Sequence, residues 1–367
     1  MGATALRCSV LRGGTSKGLY FRTDDLPADR PTRDAVLLSA MGAPHPRGID
    51  GMSGGHPLTS KVAMVRRSRR ADADVDYRFA QVWPDRAEVS ENQTCGNLLA
   101  GVGPFALEEG LVEAAGEVTP VRIWMENTSS LAVARVQTPG GTVTYEGSTR
   151  IDGVPGRHAR VDLEFVDVAG SSCGALLPTG RTRDEIDGVS VTCIDHGMPV
   201  VCVRAVDVGL TGQETPAEIE ADERVLARLE SIRLAAGPRM NLGDVTTKTV
   251  PKVTLLAAPA NGGVVGTRTL VPHRVHDAIG VLGAVSVATA CVVPGTVAAG
   301  LAELPDVPMG GGRLDLDIEH PSGSFTVTLD VATVDGRPTV LAAALVRTAR
   351  LLMRGDVFVP ASVWSRS

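Results

Sequence analysis

No two of the six cysteines, at positions 8, 95, 173, 193, 202 and 291, have the CxxC spacing of a metal finger or a dithiol redox site. There is also no run of 18 apolar residues, so no membrane-spanning helix is expected. The first residues lack the basic stretch followed by an apolar one that marks a secretory leader, and the expected location is the cytoplasm, with thiols kept reduced. Positive charge is not in excess. The 36 Lys and Arg against 42 Asp and Glu leave a net charge of −6, so neither nucleic acid nor an anionic membrane is attracted globally. The basic run Arg66-Arg67-Ser68-Arg69-Arg70 reads as a solvated loop.

What is present is an ordinary globular composition, 43% hydrophobic and 21% charged, with 41 glycines that announce many turns and close backbone approaches. At 367 residues the chain exceeds the size at which one hydrophobic core keeps growing, so two domains are expected. In the first third, "ALRCSVLRGG", "SKVAMVRR", "YRFAQVWP" and "VRIWMEN" read as strands bounded by Gly, Pro or Asp. Arg33 to Met41 reads as a helix. Gly96 to Gly110, "GNLLAGVGPFALEEG", reads as a second one, apolar on nearly every side and so surrounded by protein.

The second half repeats this plan. "SVTCIDHGMPVVCVRAV" gives two strands about a His-Gly-Met-Pro turn, "KVTLLAAP" another, and "GVLGAVSVATACVVPGTVAAGL" a second helix apolar all round. Aligning Lys61 with Lys252 sets an offset of 191, which carries Cys95 onto Ser286 at the expected start of that helix. The chain therefore reads as a duplicated domain. The Gly-, Pro- and Thr-rich stretch "TPGGTVTYEGSTRIDGVPGR" places the boundary near residue 148, and "PAEIEADERVLARLESI" reads as a solvated acidic helix on the second domain.

Four polar, glycine-bearing segments stand out. "LRGGTSKG", residues 11 to 18, can present backbone N–H groups, the hydroxyls of Thr15 and Ser16 and the Lys17 ammonium to an anion, although it lacks Walker spacing. "IDGMSGGHPLTSKV" leads through Gly54, Gly55 and Ser60 to Lys61 at the mouth of an apolar strand. Partial desolvation there favours the neutral amine, a usable base. Cys95 stands before Gly96 and Asn97, where the free N–H groups of a helix start would favour its thiolate. "GPRMNLGDVTTKTVPKV" is the repeat counterpart of the second segment, with Met240 and Lys252. Cys8, Cys193, Cys202 and Cys291 sit in apolar runs and read as small core residues.

Taken in order, "LRGGTSKG", "IDG…GG.PLTSKVA", "CGNLLAGVGPFALEEGLV", the "HGMP" turn, "PKV" and "PGTVA" resemble the PrpF-type isomerases from about Leu11 to Pro360. Members of that family act on 4-oxalomesaconate, 2-methylaconitate and methylitaconate. "MGAPHPRGIDGM" and "CGNLLAGVGPFALEEGLV" are most similar to the 4-oxalomesaconate tautomerase branch. The resemblance implies a diaminopimelate-epimerase-like α+β fold: two pseudo-symmetric domains, each a curved sheet around a central helix, with the active site in the cleft between them. It also implies that the C-terminal segment returns to the first domain. The domains expected are residues 1–147 with 342–367, and 148–341.

The family's reactions move a proton and a double bond in an unsaturated di- or tricarboxylate. Such a site needs a base, an acid and donors for the charge of an extended enolate. Lys61 is the expected base and Cys95 the partner acid or second base. The expected substrate-binding set is Thr15, Ser16, Lys17, Gly54, Gly55, Ser60, Gly96, Asn97, Met240, Lys252 and Ser286. No metal or organic cofactor is expected, because the conjugated acyl groups of the substrate accept the electrons. The only partner expected is a small polycarboxylate, and a homodimer is compatible with the sequence. Rival readings are an aconitate or 2-methylaconitate isomerase and a non-catalytic polycarboxylate-binding protein. An amino-acid epimerase would need a second thiol where the repeat offers Ser286, and a thiol hydrolase would need His56, His196 or His273 beside Cys95. His273 and His276 lack a third metal ligand.

Overall fold

A computed structural model describes residues 2–91, 95–166, 168–306, 311–334 and 337–365 of the chain. It divides into two units, Met1–Val166 with Val346–Ser367, and Asp167–Leu345. The first unit contains β1 (Ala3–Gly13), β2 (Ser16–Arg22), α1 (Arg30–Met41), β3 (Lys61–Arg67), β4 (Val75–Val82), β5 (Val89–Ser90), α2 (Gly96–Leu99), α3 (Val102–Glu108), β6 (Val118–Met125), β7 (Ser130–Gln137) and β8 (Arg160–Phe165). The second contains β9 (Asp184–Ile186), β10 (Val189–Asp195), β11 (Pro199–Arg204), α4 (Pro216–Ala221), α5 (Glu223–Arg239), β12 (Lys252–Ala257), β13 (Val265–Leu270), α6 (Val281–Val292), β14 (Gly311–His320) and β15 (Gly323–Val334). The last strand, β16 (Arg337–Pro360), gives its residues up to Leu345 to the second unit and the rest to the first.

The pairing pattern shows the duplication that one offset had suggested. In the first unit β1–β2 is antiparallel, β2–β3 parallel, β3–β4 antiparallel, β4–β6 parallel and β6–β7 antiparallel. In the second, β10–β11, β11–β12, β12–β13, β13–β14 and β14–β15 repeat that sequence of directions. In the first unit the neighbours run on through β7–β8 to β16, and β16 also pairs with β1, so the ring of hydrogen-bonded strands closes on itself. The division falls at Val166 and not near residue 148, because β8 extends the first unit's sheet by pairing with β7.

β2, β3 and β4 are buried on both of the faces that period-2 alternation creates, whereas β6 and β7 bury only one. Leu19, Phe21, Val62, Met64, Ala80 and Val82 face α1, which contributes Val36, Leu37, Ala40 and Met41. Each fully buried aliphatic chain contributes about 1.5–3 kcal/mol. Asp29 caps α1 by accepting from the Thr32 N–H, and Gly42 ends it at φ 68°, a left-handed conformation that suits a residue without Cβ. The opposite face of β2–β4, with Tyr20, Ala63, Val65, Tyr77 and Phe79, belongs to the α2–α3 side, where the Tyr20 and Phe105 rings lie 5.7 Å apart.

The helix expected over Gly96 to Gly110 is two short ones. Pro104 has no N–H to give the Ala100 carbonyl, and the Tyr20 hydroxyl takes the Leu98 carbonyl at 2.5 Å, so the intervening Ala100-Gly101 bonds only in tight, three-residue fashion. The acidic helix of the second unit is likewise two. Asp222 closes α4 and caps α5 by accepting from the Arg224 and Val225 N–H groups. Its inner face is not solvated: Ile219, Val225, Leu229, Ile232 and Ala236 belong to the core beside β10–β12. In α6, which carries no charged residue, everything from Gly283 to Val292 is buried. Among the described residues no helix is long and apolar enough to cross a membrane.

Candidate active site

Lys61 opens β3, and its side chain is sequestered although it is a lysine: the residue is 7% exposed. Its register partner is Gln81 on β4, and the Nζ donates to Gln81 Oε1 at 2.8 Å. The Nζ also stands 5.2 Å from the centre of the Phe79 ring, whose face is electron-rich. On the other side, Gly18 of β2 is level with Lys61, and a Cβ there would come within 2.4 Å of the Lys61 carbonyl oxygen. Gly18 is thus required for β2 and β3 to approach where the lysine begins its strand.

The loop between β1 and β2 meets the start of α2. Gly14 has φ 49°, and a Cβ on it would meet Asn97 Oδ1 at 2.2 Å, so the loop lies directly on that side chain. Asn97 Nδ2 donates to the Thr15 hydroxyl at 3.0 Å, while Arg12 donates to the Gly14 carbonyl and to Thr348, fixing the loop from behind. Ser16 is buried, and among the described residues its hydroxyl has no hydrogen-bond partner. Cys95 is the N-cap residue of α2 in extended conformation, and it is the one half-exposed cysteine, the other five being buried. It stands close enough to two buried tyrosines to influence them: the Tyr20 and Tyr77 phenols are pushed well above their usual range, by burial first and by Cys95 next. Both stay protonated at neutral pH; the Tyr20 O–H is already donated to the Leu98 carbonyl, whereas the Tyr77 O–H has no hydrogen-bond partner among the described residues.

Lys61 shares its sheet face with Tyr20 and Tyr77, the two phenols that Cys95 influences. Gln81 pairs with Lys61 on one side and with Ser90 of β5 on the other, and Cys95 follows five residues after Ser90. Asn127 pins this segment by donating to the Phe79 and Glu91 carbonyls and accepting from the Phe79 N–H.

Several sequence expectations are corrected. Lys17 lies between Ser16 and Gly18, so alternation sends it to the Leu19 and Phe21 face, opposite to that of Lys61. The two ammoniums are therefore not neighbours across the sheet. Ser60 spends its hydroxyl on the His56 carbonyl at 2.9 Å, and Gly54 and Gly55 shape the same loop, Gly55 at φ 67°. Met240 is fully buried in the second unit's core beside Ile186 and Leu229. Ser286 is the sixth residue of α6 and not its start; its hydroxyl donates to the Met198 carbonyl at 2.7 Å and accepts from the His196 N–H at 3.0 Å. The N-cap of α6 is Gly280, so the offset of 191 shrinks by six at the helices because the intervening loops differ in length. Lys252 is half-buried, with its pKa lowered by burial first and by Arg233 next. Unit 2 carries Val271 after Leu270, the partner of Val253, and so has no amide beside Lys252 in the place of Gln81.

Sequence reasoning missed Gln81, Tyr20 and Tyr77. A glutamine inside the apolar run "YRFAQVWP" was the available signal.

Two α+β units of identical strand-pairing plan, each a sheet around a buried helical segment, define the diaminopimelate-epimerase-like class. Residues 4–360 match the family profile described as "PrpF protein", and the chain belongs to the PrpF family, whose named relatives are isomerases and tautomerases. It is 58% identical over 364 residues to the 4-oxalomesaconate tautomerase of Pseudomonas putida, with 99% of each chain covered. It is 57% identical over 352 residues to the (4E)-oxalomesaconate Delta-isomerase of Novosphingobium sp., covering 96% of this chain and 97% of that one. Among solved structures, methylitaconate-delta-isomerase matches with a TM-score of 0.86 at 32% identity, over 100% of this chain and 98% of the other.

Proposed function

We propose that this isomerase moves a proton, and with it a double bond, within a small unsaturated polycarboxylate, with 4-oxalomesaconate the first candidate, and that it does so without metal or organic cofactor. The observation that carries the reading is a sequestered lysine amine on the same sheet face as Tyr20 and Tyr77, the two phenols that the one half-exposed thiol, Cys95, influences. The relatives at 57% and 58% identity are named for oxalomesaconate, whereas those named for 3-methylitaconate and 2-methyl-aconitate stand at 37% and 36%, which ranks the substrates.

In this mechanism the neutral Lys61 amine removes a proton from carbon next to the keto-acid group. The electron pair moves into the conjugated system as an extended enolate, and Cys95 returns a proton at the far carbon. Charge that develops on the carboxylate and enolate oxygens is met by the Gly96 and Asn97 amides, which lie ahead of the intrahelical ladder, and by the Thr15-Ser16 loop. Lys252, half-buried in the second unit, remains a candidate carboxylate-binding cation, whereas Met240 and Ser286 drop out on burial.

The test is incubation with 4-oxalomesaconate, 2-methylaconitate, aconitate and methylitaconate in deuterated water, followed by proton NMR before and after chelator treatment. Isomerisation of 4-oxalomesaconate with deuterium entering at one carbon, unchanged by chelation, is expected. Turnover of none of the four, or turnover that requires an added divalent ion, would overturn the proposal.

A further inference from the structure

We propose that Gln81 is the positioning residue of the Lys61 amine: it holds one N–H so that the nitrogen lone pair is directed off β4 toward the reacting carbon. The inference deepens the proposal above and rests on Lys61 being the base.

Gln81 is 2% exposed, and its amide orientation is determined by its surroundings. The Nε2 donates to the Ser60 carbonyl at 2.9 Å, the Pro57 carbonyl at 3.1 Å and the Val82 carbonyl at 3.3 Å. A flipped amide would set Oε1 against three carbonyl oxygens and Nε2 against the lysine nitrogen, so only the observed orientation is satisfied. Oε1 is left as an acceptor with no freedom, 2.8 Å from Nζ.

A neutral amine has two N–H groups and one lone pair, and on a flexible four-carbon stem that lone pair has no preferred direction. Fixing one N–H on a rigid acceptor removes most of the misdirected orientations. The acceptor also comes from the residue level with Lys61 across β3–β4, while Ser60, one residue before Lys61, is bonded by both the Gln81 side chain and the Val82 N–H. Base and orienting group are thus tied to the same few backbone atoms. By strand parity the titratable groups on the face of Lys61 include Arg7 on β1, Tyr20 and Arg22 on β2, Arg67 on β3 and Tyr77 on β4, and Cys95 influences both phenols, whereas Lys17 and Asp76 lie on the opposite face.

The test compares Gln81→Met and Gln81→Glu with the parent. Methionine keeps length and removes the acceptor; glutamate keeps an acceptor and makes it anionic; both lose the three donor contacts of Nε2. For Gln81→Met, kcat should fall about 10- to 100-fold, a sizeable part of what a positioned base contributes, with KM within about threefold. The rising limb of the pH–kcat profile should move to lower pH, since the ammonium has lost a partner. For Gln81→Glu the same limb should move to higher pH. Opposite shifts in two variants that share the same lost donor contacts cannot come from a common packing defect. A limb unmoved in both, or Gln81→Met with kcat within twofold of the parent, overturns the inference. Lys61→Ala is measured alongside: if it retains turnover, the base assignment itself fails, whereas an inactive Lys61→Ala with unmoved limbs in the Gln81 variants removes only the role of Gln81.

Discussion

Iodoacetamide alkylation at pH 8 should modify Cys95 and leave the other five cysteines nearly untouched. The separation follows from their surroundings. Burial pushes the Cys8 thiol up to about 11, with Asp356 adding to the effect, and pushes Cys173, Cys193 and Cys291 up to about 12; Cys202 is raised further, by burial first and by the neighbouring Cys291 and Cys193 next. A thiol at 11 is ionised to about one part in a thousand at pH 8, and one at 12 to about one part in ten thousand, against roughly a quarter for an ordinary thiol near 8.5. Reactivity tracks the thiolate, so even before access is considered the buried set should react at least about a hundredfold more slowly than an ordinary exposed thiol. Cys95 alone is half-exposed, and the protonated Tyr77 phenol is close enough to be influenced by it. Peptide mapping by mass spectrometry after partial labelling reads the distribution, and 4-oxalomesaconate occupying the adjacent amides should slow the Cys95 reaction. Equal labelling of Cys95 and Cys173, or no protection by any polycarboxylate, would refute the reasoning and leave the thiol a packing residue.

Lys61→Ala should lower kcat by roughly two to four orders of magnitude with little change in melting temperature, and Lys61→Arg should not restore it, because a guanidinium stays protonated; near-normal turnover of the arginine variant would show that only charge matters. Gly18→Ala would force a Cβ to 2.4 Å from the Lys61 carbonyl oxygen, a backbone atom that cannot rotate away. That variant should lose about 1–3 kcal/mol in urea unfolding and lose activity with it. His196 is pushed down to about 4 by burial, so as pH falls from about 6.5 toward 4 the unfolded chain takes up a proton that the folded one refuses. Stability should therefore drop over that window by on the order of 3 kcal/mol, and His196→Gln should flatten the dependence in thermal melts recorded at each pH.

The strands were legible because alternation and their Gly or Pro borders are local properties. β3 and β12 were found at the aligned lysines, and the apolar helix of the second unit was found where its apolar stretch begins, although it stops at Val292 and that stretch runs on to Leu301. Non-local effects were not legible. Nothing near Gly101 reveals that Tyr20, 81 residues earlier, takes the Leu98 carbonyl and helps split the helix, although Pro104 was a visible warning. A constant offset between repeats assumes equal loops, and the displaced Ser286 shows how that assumption fails. The face of Lys17, in contrast, could have been read from parity alone, since Ser16, Gly18 and Tyr20 must share the other side of β2. Gln81 escaped notice because a polar residue in a strand is ordinarily a solvent-facing one, and its partner Lys61 lies on another strand.

The path of β16 bears on how the protein comes off the ribosome. Residues from Ala349 to Pro360 are the antiparallel partners of β1, which precedes every other described strand. Until those residues are translated, β1 keeps one edge of unpaired N–H and C=O groups, a template for pairing with another nascent chain. The first unit, which holds Lys61, Gln81 and Cys95, is therefore begun before the second and finished after it. Release anywhere between residue 96 and about residue 349 would yield a chain that contains those three residues and lacks the strand that closes the sheet carrying them.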